Sequence, residues 1–171
     1  MKAIAAVTKD WGIGKDNQLL ISIPEDMKFF RTKTKEAIVI MGRKTLESFP
    51  GGRPLKNRIN IVITRSETYA PEGVVVVKST EEAATAAAKI QKENLTEDGA
   101  EREIFVIGGA SIYGQMAGLC DTIYITKVDM ECEADAYFPN LDEDPAWSVT
   151  EESETAEYEG LSYRFVTYKK H

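Results

Sequence analysis

The chain has 171 residues, 43% hydrophobic and 29% charged, which suits one domain with a full-sized core and is short for two. Its formal net charge of −7 argues against a general nucleic-acid binder, and no apolar run reaches the length of a membrane span. Two cysteines, Cys120 and Cys132, do not make a disulfide framework or a zinc site, and the only histidine is the last residue, His171, which removes Ser-His-Asp and Cys-His chemistry.

Proton chemistry must then come from carboxylates, Tyr, Lys or water. The charge is unevenly spread. From Lys28 to Arg65 there are ten basic residues against two acids, and the rest of the chain has eleven against twenty-six. Such a basic segment fits either a local site for a small anionic ligand or a solvated face. Met1-Lys2-Ala3-Ile4 leads directly into a strand-like run without a signal-peptide pattern, so the expected location is the cytoplasm.

Ala3–Val7 reads as a buried strand, and 11–23, with Gly12, Gly14 and Asn17, as a loop. Ser22-Ile23-Pro24-Glu25 has capping-box spacing and predicts a helix to about Thr34. Ala37–Met41 predicts a strand, Lys44–Ser48 a short helix, and Arg58–Thr64 and Val74–Val77 two more strands. Ser79-Thr80-Glu81-Glu82 is a second capping box, opening an Ala-rich helix to about Asn94. Glu103–Ile107 predicts a strand running into Gly108-Gly109, followed by a helix from Ser111 to Ala117. Thr122–Val128 and Ser162–Lys169 alternate as strands do, and the acidic segment between them reads as loop. The fold class is α/β: one domain, residues 1–171, with a mixed, mostly parallel twisted sheet, flanking helices and a C-terminal antiparallel hairpin.

Four places could carry chemistry. Asp26 and Phe30 are four apart and share a helix face. A carboxylate there is either buried with a raised pKa or a wet first-turn acid favoured by the dipole, and on this helix alone the wet acid is the better reading. Gly42-Arg43-Lys44-Thr45 puts a glycine and two cations where a strand meets a helix, a pattern that fits phosphate or an ordinary turn equally. Gly108-Gly109-Ala110-Ser111 repeats the strand–glycine–helix pattern but is neither G-x-G-x-x-G nor a P-loop. Thr64-Arg65 ends a strand in a hydroxyl and a guanidinium, a pair suited to a phosphomonoester.

In this order the motifs resemble dihydrofolate reductases over nearly the whole chain. They run Ile4-Ala5-Ala6, Gly12-Ile13-Gly14, Asn17, Ile23-Pro24-Glu25-Asp26, Phe29-Phe30, Ile40-Met41-Gly42-Arg43-Lys44-Thr45 and Glu47-Ser48. They continue with Gly52-Arg53-Pro54-Leu55, Arg58-Ile59-Asn60, Ile107-Gly108-Gly109, Tyr113, Tyr124-Ile125-Thr126 and Asp135-Ala136-Tyr137-Phe138-Pro139. The resemblance implies hydride transfer from NADPH to C6 of 7,8-dihydrofolate with water-assisted protonation at N5, giving the tetrahydrofolate of one-carbon metabolism. It implies that Asp26 holds the pterin amide and 2-amino edge, with Thr126 bonded to the carboxylate or the 2-amino group. Ile4, Ala5, Phe30, Phe49, Leu55, Ile107 and Tyr113 would line the pterin and aminobenzoyl pocket, and Arg58 would pair with the α-carboxylate of the glutamate tail. Ala6, Ile13, Gly14 and Asn17 would lie by the nicotinamide. Arg43, Lys44 and Thr45 would hold phosphate on one side and Gly109, Ala110, Ser111 and Ile112 on the other, Tyr113 would lie beside the nicotinamide and pterin, and Gly42, Ile107 and Gly108 would also contact the cofactor. Thr64 and Arg65 would meet the 2′-phosphate, Lys78 would also bind the cofactor, and the Gly108–Gly109 peptide would be cis.

Three positions bear on this pattern. Leu20-Ile21 stands where the family has Pro-Trp, which removes an indole donor near the pterin. Ser111 replaces a basic residue found in some members, and Asp135 is placed to accept a backbone N–H of the first loop near Gly14 and hold that loop closed. The expected partners are dihydrofolate and NADPH, with no metal, nucleic acid or membrane, and the expected state is a monomer. Alternatives are a same-fold reductase of another pterin or a riboflavin precursor, and a non-catalytic NADPH-binding module.

Overall fold

The computed structural model describes residues 1–171. Its strands are β1 (Lys2–Val7), β2 (Gly12–Lys15), β3 (Gln18–Leu19), β4 (Ile38–Gly42), β5 (Ile59–Ile63), β6 (Val74–Val77), β7 (Ile104–Gly108), β8 (Thr122–Val128), β9 (Ala136–Tyr137), β10 (Trp147–Glu152), β11 (Ala156–Tyr158) and β12 (Leu161–Lys170). Its helices are α1 (Pro24–Lys33), α2 (Arg43–Glu47), α3 (Thr80–Glu93) and α4 (Ala110–Met116).

The main sheet runs β10-β12-β8-β1-β7-β4-β5-β6, with β11 paired to β12. Strands β6, β5, β4, β7, β1 and β8 are mutually parallel, and β12 adds antiparallel to β8. The apolar runs of β4 and β7 explain their central place, since parallel strands are covered on both faces. Alternate residues feed two separate cores. Ala3, Ile38, Ile40, Ile61, Val106, Ile123 and Ile125 face one way and pack with Ala83 and Ala87 of α3 and Met116 of α4. Ile4, Val39, Met41, Val62, Phe105 and Ile107 face the other way and pack with Leu46 of α2 and Phe29 and Phe30 of α1.

The sheet opens at one point. β1 pairs with β8 along six residues, but with β7 only at Lys2–Phe105 and Ala3–Val106. Beyond those pairs the carboxyl ends of β1 and β7 part, and β7 shifts register against β4 between Ile40 and Met41. Crevices outside the carboxyl ends of strands are where open α/β sheets bind ligands.

The structure corrects several local expectations. Residues 11–23 are not all loop, because β2 and β3 form a hairpin around Asp16 and Asn17, both at positive φ (51° and 63°). Such a two-residue turn matches strand twist. Ser22 does not cap α1: the N-cap is Ile23, with no side-chain bond, and Pro24 opens the helix. Ser22 lies one residue too early. Ser79 does cap α3, accepting from the Glu82 N–H at 3.1 Å. The acidic segment holds β9, β10 and β11, and β9 joins β2 and β3 in a small second sheet. The two late strands pair antiparallel as expected, though a long excursion rather than a tight turn connects them. No helix is long and apolar enough to cross a membrane.

Candidate active site

The parted ends of β1 and β7 place Ile4, Ala5 and Ala6 against Ile107 and Gly108. Ile4 and Ile107 are buried there. In the opening, the Tyr113 hydroxyl donates to the Ile4 carbonyl at 2.7 Å, giving that carbonyl a partner where the β1–β7 ladder has stopped. Burial pushes the Tyr113 phenol far up, so it stays a neutral donor.

Asp26 comes to the same place from α1. Its Oδ1 accepts a hydrogen bond from Thr126 Oγ1 at 2.6 Å, and Thr126 lies opposite Ala6 on β8. Two effects act on this carboxyl. Burial raises its pKa and is the larger cause, while the Thr126 hydroxyl lowers it. The net direction is upward. The structure therefore favours the half-buried acid over the wet one. The helix is held by Phe29, whose ring stacks on Phe165 of β12 at 4.4 Å.

On the α1 side the apolar wall leads to a cation. Phe30, Phe49 and Leu55 pack together against the α1–α2 face of the sheet. Leu55 is fixed by buried Asn60, which accepts from its N–H and donates to its carbonyl, both at 3.0 Å. At the end of α1, Arg58 Nε donates to the Thr34 carbonyl (3.2 Å) and Oγ1 (3.0 Å). Burial, and then Arg31, lower the Arg58 pKa, yet a guanidinium so far from neutral pH stays charged.

Across the opening lie the glycine turns. A Cβ at Gly42 would meet Ile112 at 3.4 Å, and one at Gly108 would meet Thr45 Oγ1 at 3.5 Å and the Tyr113 ring at 3.6 Å. Gly108 has φ +130°, a conformation side chains disfavour, and its peptide to Gly109 is cis. The missing side chains leave a shallow cradle between the β4–α2 and β7–α4 turns. Beside it, Lys44 is exposed, Arg43 Nε is bonded to Glu47 (2.7 Å), and Thr64 Oγ1 accepts from the Ser66 N–H (3.2 Å). Arg65 is exposed, and Lys78 lies 3.8 Å from Glu67. Ser111 Oγ accepts from Gln115 at 3.0 Å.

The first loop closes over this edge. Ile13 and Gly14 are buried in β2, and Asn17 is exposed at the hairpin turn. Asp135 binds the loop twice: its Oδ2 accepts from the Asp16 N–H and its own N–H donates to the Gly14 carbonyl, each at 3.0 Å. Ile21 is buried against Ile23, Val128 and Tyr163. It fills an apolar site without offering a donor.

Some contributors escaped the sequence. Thr34, which fixes Arg58, belongs to no motif, although its place one turn after Phe30 is a usable signal. Met27, which its place in the chain already puts close to Asp26, is 51% exposed, a large apolar side chain left open. Tyr69 lies against Arg43, a contact between distant segments.

The dihydrofolate reductase family model matches residues 1–170. A dihydrofolate reductase of Neisseria gonorrhoeae is 41% identical over 166 residues, covering 96% of this chain and 94% of that protein. The Bacillus subtilis dihydrofolate reductase is 38% identical over 159 residues, covering 92% and 87%. Among solved structures, dihydrofolate reductase from Enterococcus faecalis complexed with NADP(H) and RAB-propyl superposes with TM-score 0.82 at 31% identity, covering 99% of this chain and 95% of that one. Matched from end to end in sequence and fold, the chain belongs to the dihydrofolate reductase family.

Proposed function

We propose that the protein reduces 7,8-dihydrofolate to 5,6,7,8-tetrahydrofolate with NADPH, using Asp26 as the acid that anchors and polarises the pterin. Family membership makes it an oxidoreductase whose cofactor is NADPH. The observation that carries the residue roles is the Asp26–Thr126 pair at 2.6 Å, a half-buried carboxyl on the helix whose Phe29 and Phe30 pack on the apolar side of the cleft.

The cofactor's fit rests on the glycine cradle and the donors around it. Gly42, Gly108 and Gly109 leave room for backbone to approach a diphosphate, Lys44 and Thr45 offer a cation and a hydroxyl, and Arg43, Thr64, Arg65 and Lys78 surround the place for the 2′-phosphate. Ala6 of β1 and Ile13, Gly14 and Asn17 of the first loop supply one side of the nicotinamide site, and Ala110, Ser111 and Ile112 of α4 the side toward the phosphates. When bound, NADPH supplies a hydride, which goes to pterin C6.

The chain's residues align and polarise the substrate. Asp26 accepts from the pterin N3–H and 2-amino group, while Thr126 satisfies the same carboxyl from behind. Ile4, Ala5, Phe30, Ile107 and Tyr113 confine the ring, and Phe49 and Leu55 hold the aminobenzoyl group. Arg58 closes on the α-carboxylate; it is anchored at Thr34, about 12 Å along α1 from Asp26 at helical rise. Asp26 does not reach N5, so water delivers that proton. Ile21, buried in its own apolar cluster, offers no indole to hold such a water, which leaves Asp26 and Thr126 as the polar groups for it.

The test is to mix purified protein with NADPH and dihydrofolate and follow the cofactor's near-ultraviolet absorbance. The expected result is its loss, with tetrahydrofolate formed in equal amount. NADPH binding with no absorbance loss would point to a non-catalytic module, and turnover only with another pterin or a riboflavin precursor would move the substrate.

A further inference from the structure

Arg43 opens α2 and is held from two sides. Its Nε donates to Glu47, one turn along, at 2.7 Å, and its guanidinium carbon lies 4.5 Å from the centre of the Tyr69 ring. Tyr69 belongs to residues 64–73, the connection between β5 and β6 that begins with Thr64 and Arg65. Its own ring packs on the apolar cluster that contains Met41, Leu46 and Val62. The phenol is raised by burial and then by Glu47, while Arg43 opposes the shift, so the ring stays neutral beside the cation. Neither Tyr69 nor Glu47 has a ligand to bind; both reach the site only through Arg43.

The two contacts restrain different parts of one group. Glu47 takes Nε, and Tyr69 covers a face of the guanidinium plane. The two terminal nitrogens have no hydrogen-bond partner in the protein. A free surface arginine samples many rotamers and loses that freedom on binding; one already pinned loses less. Position also separates Arg43 from its neighbour. Thr45 turns toward the Gly108–Gly109 cradle, whereas Arg43 turns toward the 64–73 connection. Lys44 and Arg65 form no ion pair, so the surroundings stay cationic despite Glu47.

We propose that Tyr69 is a positioning residue for cofactor selectivity: with Glu47 it holds the Arg43 guanidinium against the 64–73 connection, its terminal nitrogens facing the cofactor's 2′-phosphate. This rests on the assignment of Arg43 to cofactor phosphate. Tyr69 acts through Arg43 and touches no reacting atom. Its effect falls on binding of the phosphorylated dinucleotide, and NADH, which has no 2′-phosphate, is indifferent to it.

The experiment measures the Kd of NADPH and NADH by quenching of the protein's tryptophan fluorescence, without substrate, and kcat and KM for both, in wild type, Tyr69→Leu, Tyr69→Phe, Arg43→Ala and the Arg43→Ala/Tyr69→Leu double variant. In each case the Kd is expected to move with the KM. Tyr69→Leu is expected to raise the NADPH KM about fivefold with kcat within about twofold, and to leave the NADH KM unchanged. Tyr69→Phe keeps the ring and is expected to match wild type. In the Arg43→Ala background, Tyr69→Leu is expected to add nothing. An unchanged NADPH KM in Tyr69→Leu, an equal rise for both cofactors, or an undiminished effect without Arg43 would each overturn the proposal. If Arg43→Ala itself leaves the NADPH KM unchanged, the phosphate assignment falls and the proposal with it. Should Tyr69→Leu not fold, Tyr69→Met removes the π face while keeping bulk and carries the same expectations.

Discussion

Asp26 is pulled in opposite directions by burial and by the Thr126 hydroxyl, and burial wins. The folded chain therefore holds the Asp26 proton more tightly than the unfolded chain does. Below the ordinary Asp pKa of about 3.9 both states are protonated and the carboxyl costs nothing for charge. As pH rises through the window between the unfolded and the raised folded value, stability is lost, because the unfolded chain releases its proton to water while burial makes the folded chain keep it. Asp26→Asn keeps the acceptor for Thr126 but has no proton to lose. Its melting temperature is expected to exceed that of wild type at neutral pH, with the gain vanishing in acid. Equal melting curves at neutral pH would mean that the carboxyl is better solvated than the structure has it. Arg58 makes the second prediction at this scale. Arg58→Lys keeps the charge but loses the Nε anchor on Thr34 and the planar fork. The dihydrofolate KM is expected to rise about tenfold or more, with kcat little changed.

Among the elements, those with a strong local pattern were legible. The buried runs of β4 and β7 and the capped Ala-rich α3 could be placed because period, composition and cap agree. The small sheet of β2, β3 and β9 could not. Its strands have two to four residues, and it exists only because Gly12 and Gly14 meet Tyr137 and Ala136, far along the chain. The same reason hid Thr34 and Tyr69, whose roles depend on what a distant segment brings to them. Asp135 was found from the sequence because its family motif marks the spot, and the structure supplies both bonds to the first loop. Packing in this sheet gives a further prediction. A Cβ at Gly12 would come within 2.9 Å of both the Ala134 Cβ and Thr8 Oγ1. Gly12→Ala is expected to push β2 away from β9, costing about 1–3 kcal/mol in denaturant unfolding and raising the NADPH KM. An unaltered KM would separate the loop from the cofactor site.

For the molecule as a whole, the sheet does two jobs on two faces. The core around Ile123, Ile125 and α3 is structural, and the opposite face, with α1 and α2, carries the cleft. Ile123→Ala, at a side chain fully buried in the first core, is expected to cost about 2–5 kcal/mol of stability and to leave both KM values near wild type. The order of strands and helices was legible because alternation of the two element types restricts the topology. The parting of β1 and β7, which makes the opening, was not, since it is a register property of strands about a hundred residues apart. The basic segment from Lys28 to Arg65 now divides between the two ends of the cleft, Arg58 at one and Arg43 and Arg65 at the other.

In the proposed reaction Asp26 polarises the pterin for hydride transfer while water delivers the proton. The most direct measurement is the single-turnover rate of hydride transfer to dihydrofolate at neutral pH, in wild type and in Asp26→Asn with both ligands saturating. The rate is expected to fall about a hundredfold or more in the variant, the loss typical of a missing acid–base group. An unchanged rate would contradict the role given to Asp26.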